Sequence, residues 1–298
     1  MYIEKRKSGQ NTKYYLVHSY REGKKVRKIR KYLGSGLSPE ELSKAKVSAK
    51  KMINQKMSEE LVFNLSADRI EMLNGYGDIE ILHLSDSGWE RFRDDFIYST
   101  NAIEGSSVKR ENVREILYSR TVRDDDELEA KGVAEAVEYI RKIDEPLSLP
   151  LIKKLHKFCF RNTKPFAGKL RQEEVVIRTA SGKIIHEGIP AENVEDALED
   201  MILWVQKDGK KFRPLALAAI VHNHFEYIHP FEDGNGRVGR LLLNFILIKS
   251  GYPPVNISVE DRREYYETLK TYSQRKGMMP TLKFLIKQYN KSGVSTTV

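Results

Sequence analysis

His229-Pro-Phe-Glu-Asp-Gly-Asn-Gly-Arg-Val-Gly-Arg240 is the stretch of this 298-residue chain from which the fold can be read. Before it, Leu217, Ile220, Val221, Phe225 and Ile228 repeat at helical spacing and carry the chain to His229, where Pro230 stops the helix. In Asp233-Gly-Asn-Gly236, two glycines let backbone N–H groups turn inward as an anion nest. A second helix follows with the apolar run Leu241 to Leu247, and its N-terminal dipole favours phosphate. Arg237 and Arg240 are three apart, so both can face the loop from the first turn. A base, a carboxylate for a hard cation, an amide nest and two guanidinium forks suit a nucleoside polyphosphate with Mg²⁺.

Other readings of the same residues are weaker. A zinc site of His222, His224 and His229 fails on geometry, since 222 and 224 point to different sides of a helix. Residues 222 and 229 lie about 10 Å apart along it at roughly 1.5 Å per residue. The first two histidines are expected to pack or to hydrogen-bond. Cys159, in an apolar stretch, reads as buried packing and not as a nucleophile; the Trp204 region reads as core.

Outward from the loop, helical spacing predicts helices over 128–140, 149–160, 194–205, 214–228 and 238–249. Glu173 to Arg178 and Lys183 to His186 flank Thr179-Ala-Ser-Gly182 as a short hairpin. The class is therefore mainly α. Hydrophobic residues at 40% and charged residues at 31% suit a globular chain with a substantial core. No apolar run approaches the roughly 18 residues of a membrane-spanning helix. A single cysteine and an N-terminus without an apolar centre lead to the expectation of a cytoplasmic protein.

Charge divides the chain. Residues 1–57 hold 16 Lys and Arg against four acids, a balance of +12, within a net charge of +9. Residues 13–20 and 25–32 alternate as two strands about Arg21-Glu-Gly-Lys24, with Arg27, Lys28, Arg30 and Lys31 straddling both faces of the second. Gly34-Ser-Gly36 ends the hairpin, and Ser38 caps a helix with Pro39, Glu40 and Glu41 in its first turn. Such a module could track the phosphates of a nucleic acid or present a solvated basic face to a protein. Residues 58–94 are read as a linker and helical connection, with Asn74-Gly-Tyr-Gly77 as a loop between modules, and 291–298 as a flexible tail.

The string from His229 to Arg240 resembles the complete signature of Fic-domain proteins, His-x-Phe-x-Asp/Glu-Gly-Asn-Gly-Arg-x-x-Arg, and the likeness extends over residues 95 to 290. Gly168-Lys-Leu-Arg171 and the hairpin resemble that family's flap; Gly251-Tyr-Pro-Pro254 and Glu264-Tyr-Tyr-Glu267 resemble its later helices. The resemblance implies a Fic-type helical core with a β-hairpin flap, joined to a small N-terminal β-hairpin and helix module. It implies transfer of AMP from ATP to a Ser, Thr or Tyr hydroxyl of a target protein. His229 would be the general base, near its ordinary pKa, and Asp233 would hold Mg²⁺. Gly234, Asn235 and Gly236 would cradle the α-phosphate, and Arg237 and Arg240 would clamp the outer phosphates. Tyr265 or Tyr266 would lie against adenine. Val175, Val176, Ile177 and Arg178, in the 173–186 hairpin, would register the target by adding its strand to an edge.

Thr100-Asn-Ala-Ile-Glu-Gly105 resembles the family's inhibitory motif. Thr100 and Glu104 share one helical face, and Gly105 can end the helix in a left-handed turn. The resemblance implies that Glu104 pairs with Arg240, the partner of the γ-phosphate, and in some members such a glutamate serves removal of AMP. Two alternatives stay open: a Fic transferase with another donor, and a nucleic-acid-binding regulator whose Fic site senses nucleotide. A homodimer is left open too.

Overall fold

The fold is that of a computed structural model. It describes all residues except 9–10, 23–24, 64, 78, 82, 179–183, 276, 293–294 and 297–298; for 8, 11, 20–22, 25–27, 51, 54–63, 80–81, 176–178, 184–187, 275 and 295–296 it describes the backbone alone. The chain divides into two compact units, Met1–Leu65 and Ser66–Val298.

In the first unit, β1 (Tyr2–Ser8), β2 (Asn11–Glu22) and β3 (Lys25–Ser35) form an antiparallel sheet in the order β1-β2-β3. Helix α1 (Pro39–Phe63) follows. Its start is a capping box: Ser38 Oγ accepts from the Glu41 amide at 3.3 Å, and the Glu41 carboxylate accepts from the Ser38 amide at 2.8 Å. Leu16, Ile29, Ala49 and Ile53 make the buried core between sheet and helix, with Ile3 and Leu33 beside them.

Three expectations are corrected here. The hairpin is a three-stranded sheet, because β1, whose charged residues mask its alternation, pairs with β2 from Tyr2 opposite Val17 to Ser8 opposite Asn11. Helix α1 continues past residue 57, and the division falls after Leu65. Asn74-Gly-Tyr-Gly77 is not a loop: α2 (Ala67–Tyr76) runs through it. Asn74 there donates to the Lys211 carbonyl at 2.8 Å and accepts from the Arg213 amide at 2.7 Å, a tertiary clamp that outweighs the glycines. Gly23 and Lys24 of the expected turn, Lys183, and the side chain of Arg27 lie outside the described residues.

The second unit continues with β4 (Glu80–Ile81), α3 (Asp86–Ile103), α4 (Val113–Tyr118), α5 (Asp125–Lys142) and α6 (Leu149–Phe160). Strands β5 (Val176–Arg178) and β6 (Ile184–Glu187) lead to α7 (Val194–Asp208), α8 (Pro214–Ile228) and α9 (Asn235–Lys249). Helices α10 (Arg262–Arg275) and α11 (Met279–Ser292) and strand β7 (Ser295–Thr296) complete it. The expected tail at 291–298 therefore includes the end of a helix and two residues paired antiparallel with β4.

Helices α8 and α9 form the centre. Residues 215–225 and 237–247 are buried without interruption, as befits helices apolar on all sides. Helices α3, α5 and α6 stand against α9, while α2, α7, α10 and α11 stand against α8. Asn244, which interrupts the apolar run of α9, donates to the Val255 carbonyl at 3.0 Å and accepts from its amide at 2.7 Å. That pairing satisfies a buried amide and pins the following segment to the core. No described helix is long and apolar enough to cross a membrane.

Candidate active site

Between α8 and α9 the chain reverses at the signature loop, which fixes the geometry of the site. His229 caps α8 with φ 53° and ψ 63°, the one non-glycine residue at positive φ among those described. A left-handed conformation strains a residue with a Cβ, so it persists only where neighbours impose it. Here they do. The His229 amide donates to the Phe225 carbonyl at 3.0 Å, and its carbonyl accepts from Arg171 Nε at 2.7 Å.

Arg171 is fully buried and reaches further. Its other guanidinium nitrogens donate to the carbonyls of Glu173 at 2.9 Å and Ile189 at 2.5 Å, one on each stem of the hairpin. Its amide donates to the Pro230 carbonyl at 3.0 Å. Sequence reasoning quoted this residue only as part of a flap resemblance; a buried arginine with carbonyl partners leaves no periodic signal.

His156 supports the loop from α6. Its Nδ1 accepts from the Gly168 amide at 2.8 Å, so Nε2 carries the proton and donates to the Asp233 carbonyl at 3.1 Å. Its ring stacks on Phe231 at 3.9 Å. Asn235 closes the loop on itself: its side chain accepts from the Phe231 amide at 2.9 Å and donates to the Phe231 carbonyl at 2.8 Å. The cradle expected of Gly234, Asn235 and Gly236 is thus left to main-chain amides at the start of α9, where a helix has no acceptors of its own. Gly234 has φ 81°, and a Cβ there would meet the Phe160 ring at 2.2 Å.

Both arginines are buried and engaged. Arg240 Nε donates to Thr100 Oγ1 at 2.8 Å, and its Nη2 donates to the Thr100 carbonyl at 2.9 Å and to Glu104 Oε1 at 2.7 Å. Glu104 follows the last turn of α3, and Gly105 leaves it at φ 96°. Glu104 Oε1 also lies over the nest, since a Cβ on Gly236 would be 2.2 Å from it. Arg237 is ion-paired with Glu129 of α5, donates to Asn101 Oδ1 of α3 at 3.4 Å, and lies 4.3 Å from the Phe160 ring centre. Glu129 and Asn101 were not foreseen, being polar residues on otherwise ordinary helical faces.

Burial lowers the His229 pKa to about 4, opposed by a hydrogen bond with the Glu226 main chain and helped by the Arg171 charge. The expected ordinary value is therefore corrected, and at neutral pH the ring is uncharged. The Asp233 carboxylate is 53% exposed, and its Oδ1 accepts from the Gly234 amide at 2.6 Å. One exposed carboxylate suits Mg²⁺, which takes its remaining ligands from phosphate oxygens and water.

Tyr265 is corrected as an adenine partner. It is fully buried, shares a hydrogen bond with His222 Nε2 at 3.0 Å and receives Arg240 Nη1 at 3.4 Å, so its ring is enclosed. Tyr266 is 43% exposed, with its hydroxyl donating to the Ile103 carbonyl at 3.2 Å. His224 lies 3.2 Å from the Tyr272 hydroxyl, so both expected packing histidines have tyrosine partners. Cys159 is buried, and burial pushes its thiol to about 12. Val175 accepts at its carbonyl from the Gly188 amide at 3.2 Å, just ahead of β5. The backbone of Val176, Ile177 and Arg178 pairs with β6; their side chains and the Thr179–Gly182 turn lie outside the described residues.

Residues 146–247 match the Fic/DOC family. Protein adenylyltransferase fic-1 of Caenorhabditis briggsae is 34% identical over 187 residues, covering 58% of this chain and 35% of that protein. Protein adenylyltransferase Fic of Nematostella vectensis is 32% identical over 183 residues, covering 58% of this chain and 42% of that protein. Protein adenylyltransferase Fic of Drosophila melanogaster is 30% identical over 235 residues, 74% of this chain and 46% of that protein. The chain thus spans less than half the length of these relatives. Among solved structures, a fragment of Fic-1 from Caenorhabditis elegans superposes with a TM-score of 0.62 at 26% identity, covering 86% of this chain and 76% of that one. A Fic-domain signaling protein of Bacteroides thetaiotaomicron gives 0.64 at 23% identity, covering 75% and 94%.

Proposed function

We propose that this chain, which carries a Fic domain, is a protein adenylyltransferase that moves AMP from ATP to a hydroxyl of a target protein and is held off by Glu104. The observation that supports the reading is the convergence of His229, the Gly234–Gly236 nest and Arg240 on one loop and helix start, with the Glu104 carboxylate bonded to Arg240 and lying over Gly236. His229, uncharged at neutral pH, takes the proton of the attacking hydroxyl. The α9 amides and Arg237 and Arg240 gather the phosphates. Asp233 would hold Mg²⁺, whose charge, when bound, neutralises the departing pyrophosphate.

The hairpin offers the target a backbone edge beside His229, and Arg171 ties its stems to that residue. A second reading, favoured by the position of Glu104 over Gly236, is that the same carboxylate orients water for removal of AMP. The first unit stands outside this chemistry, and we infer for it a nucleic-acid contact. A single buried cysteine suits a cytoplasmic setting.

Incubating the chain with α-labelled ATP and Mg²⁺, alone and with cell lysate, tests the activity. Label on protein from the Glu104→Gly form, with a mass increase of one AMP and none from Glu104→Gly/His229→Ala, is the expected result. Absence of label from every form would overturn the reading.

A further inference from the structure

The strand register of the first unit sorts its side chains onto two faces. Leu16 is opposite Ile3 and Lys31, and His18 is opposite Ile29; this face carries the core against α1. Because side chains alternate along a strand, the other face carries Tyr2, Glu4 and Arg6 of β1, Lys13, Tyr15 and Ser19 of β2 with Val17 fully buried among them, and Lys28, Arg30 and Tyr32 of β3. A ring contact of 5.3 Å between Tyr15 and Tyr32 agrees with that sorting. Four bases stand there against one acid. That acid, Glu4, accepts from Arg6 Nε at 2.6 Å and from Arg30 Nε at 3.1 Å, while both arginine side chains remain 43–51% exposed.

We propose that this face of the sheet is a docking surface for double-stranded DNA, with Arg6, Lys13, Lys28 and Arg30 on phosphates along the major groove. The proposal deepens the nucleic-acid contact inferred for this unit and does not rest on the transferase activity. Charge complementarity selects a polyanion. Three strands at roughly 4.8 Å spacing put the outer strand axes about 10 Å apart, comparable with the width of a major groove of about 12 Å. The deep, narrow major groove of A-form RNA does not admit it. Single strands bind by stacking on open aromatic faces, and Tyr2 and Tyr32 on this face are 47% and 49% exposed, so stacking is the competing mode that Tyr32→Ala separates. Specificity among DNA sequences is not implied, because phosphate contacts position without reading bases.

The test is fluorescence anisotropy of the full chain with a labelled B-form duplex at 50 and 200 mM salt. Replacing Lys13, Lys28 and Arg30 together by Ala is expected to weaken binding at least tenfold at the lower salt. It should also reduce the salt dependence by about three counterions. Replacing Lys44, Lys46 and Lys50 of α1, equal in charge, should leave binding within about twofold of the unmodified chain. Tyr32→Ala tests stacking and should likewise leave duplex affinity within about twofold. No duplex binding at 50 mM salt, equal losses from both triple variants, a large loss from Tyr32→Ala, or tighter binding to single-stranded RNA or anionic vesicles would each overturn the proposal. Should the sheet-face triple variant lose its fold, Lys28→Gln and Lys13→Gln singly carry the same comparison, each expected to lower the salt slope by about one.

Discussion

Arg171 and His229 are joined by a 2.7 Å hydrogen bond from guanidinium to carbonyl, and it holds the catalytic candidate in its left-handed cap. Arg171→Lys keeps the charge but loses the fork. In the Glu104→Gly background it should lower the rate of AMP transfer by about tenfold or more while the KM for ATP changes little. Gly188→Ala should act in the same direction without touching the arginine, since its Cβ would lie 2.8 Å from Arg171 Nη2. Steady-state labelling rates against ATP concentration check both; unchanged rates would remove the positioning argument.

Glu104→Gly should raise labelling, because the carboxylate that engages Arg240 and covers Gly236 is gone. A brake that keeps 99 of about 100 molecules inactive requires only about 2.7 kcal/mol, within reach of one charge-assisted pair with supporting contacts. The expected gain is therefore up to about a hundredfold. Glu104→Gln, which retains an acceptor without the charge, should fall between the two forms in the same assay.

Stability should depend on pH from both sides. Burial lowers His156, His222 and His229 to about 4 each. Unfolded histidine takes up protons near 6.5, so stability is whole above that value and falls as the pH drops toward 4. Glu226 is the opposite case: burial raises it to about 8, and its Oε1 has no hydrogen-bond partner among the described residues. Its contribution is whole below about 4.5 and is lost as the pH rises to 8. Glu226→Gln should then flatten the alkaline limb, adding on the order of 3 kcal/mol at pH 9 relative to pH 5. Chemical denaturation of both forms across that range checks it.

Gly132→Ala should destabilise the chain although alanine favours helix. Its Cβ would lie 2.3 Å from the Phe158 carbonyl oxygen and 2.9 Å from that of Cys159, where α5 crosses α6. Overpacking against backbone costs about 1–3 kcal/mol, more than the roughly 1 kcal/mol of helix propensity gained. A lower Tm is expected, with some loss of labelling because Glu129, three residues earlier, holds Arg237.

Much of the second unit was legible because its signal is local. The predicted bounds of α6 and α8 agree with those observed, each helix being set by an apolar stripe between capping or proline signals. The loop from His229 to Arg240 was legible because glycine, proline and paired arginines each constrain the backbone or the ligand in their own way. What escaped was decided by distant partners. Nothing near Arg171 or Glu129 in sequence announces the carbonyls or the guanidinium that receive them. Helical period also cannot choose between adjacent tyrosines: Tyr265 went inside to Arg240 and His222, Tyr266 stayed at the surface. In β1 the charges of Glu4, Lys5, Arg6 and Lys7 hide a strand whose pairing is plain once β2 lies beside it.

The end of helix α3 grips both arginines of the signature loop, Arg240 through Thr100 and Glu104 and Arg237 through Asn101. All three contacts sit at the C-terminal end of α3, so a shift of that end removes them together, while Arg237 keeps its ion pair with Glu129. Partial activation would then consist of a mixture of silent and fully working molecules, seen one at a time as two populations rather than as a uniformly slower enzyme.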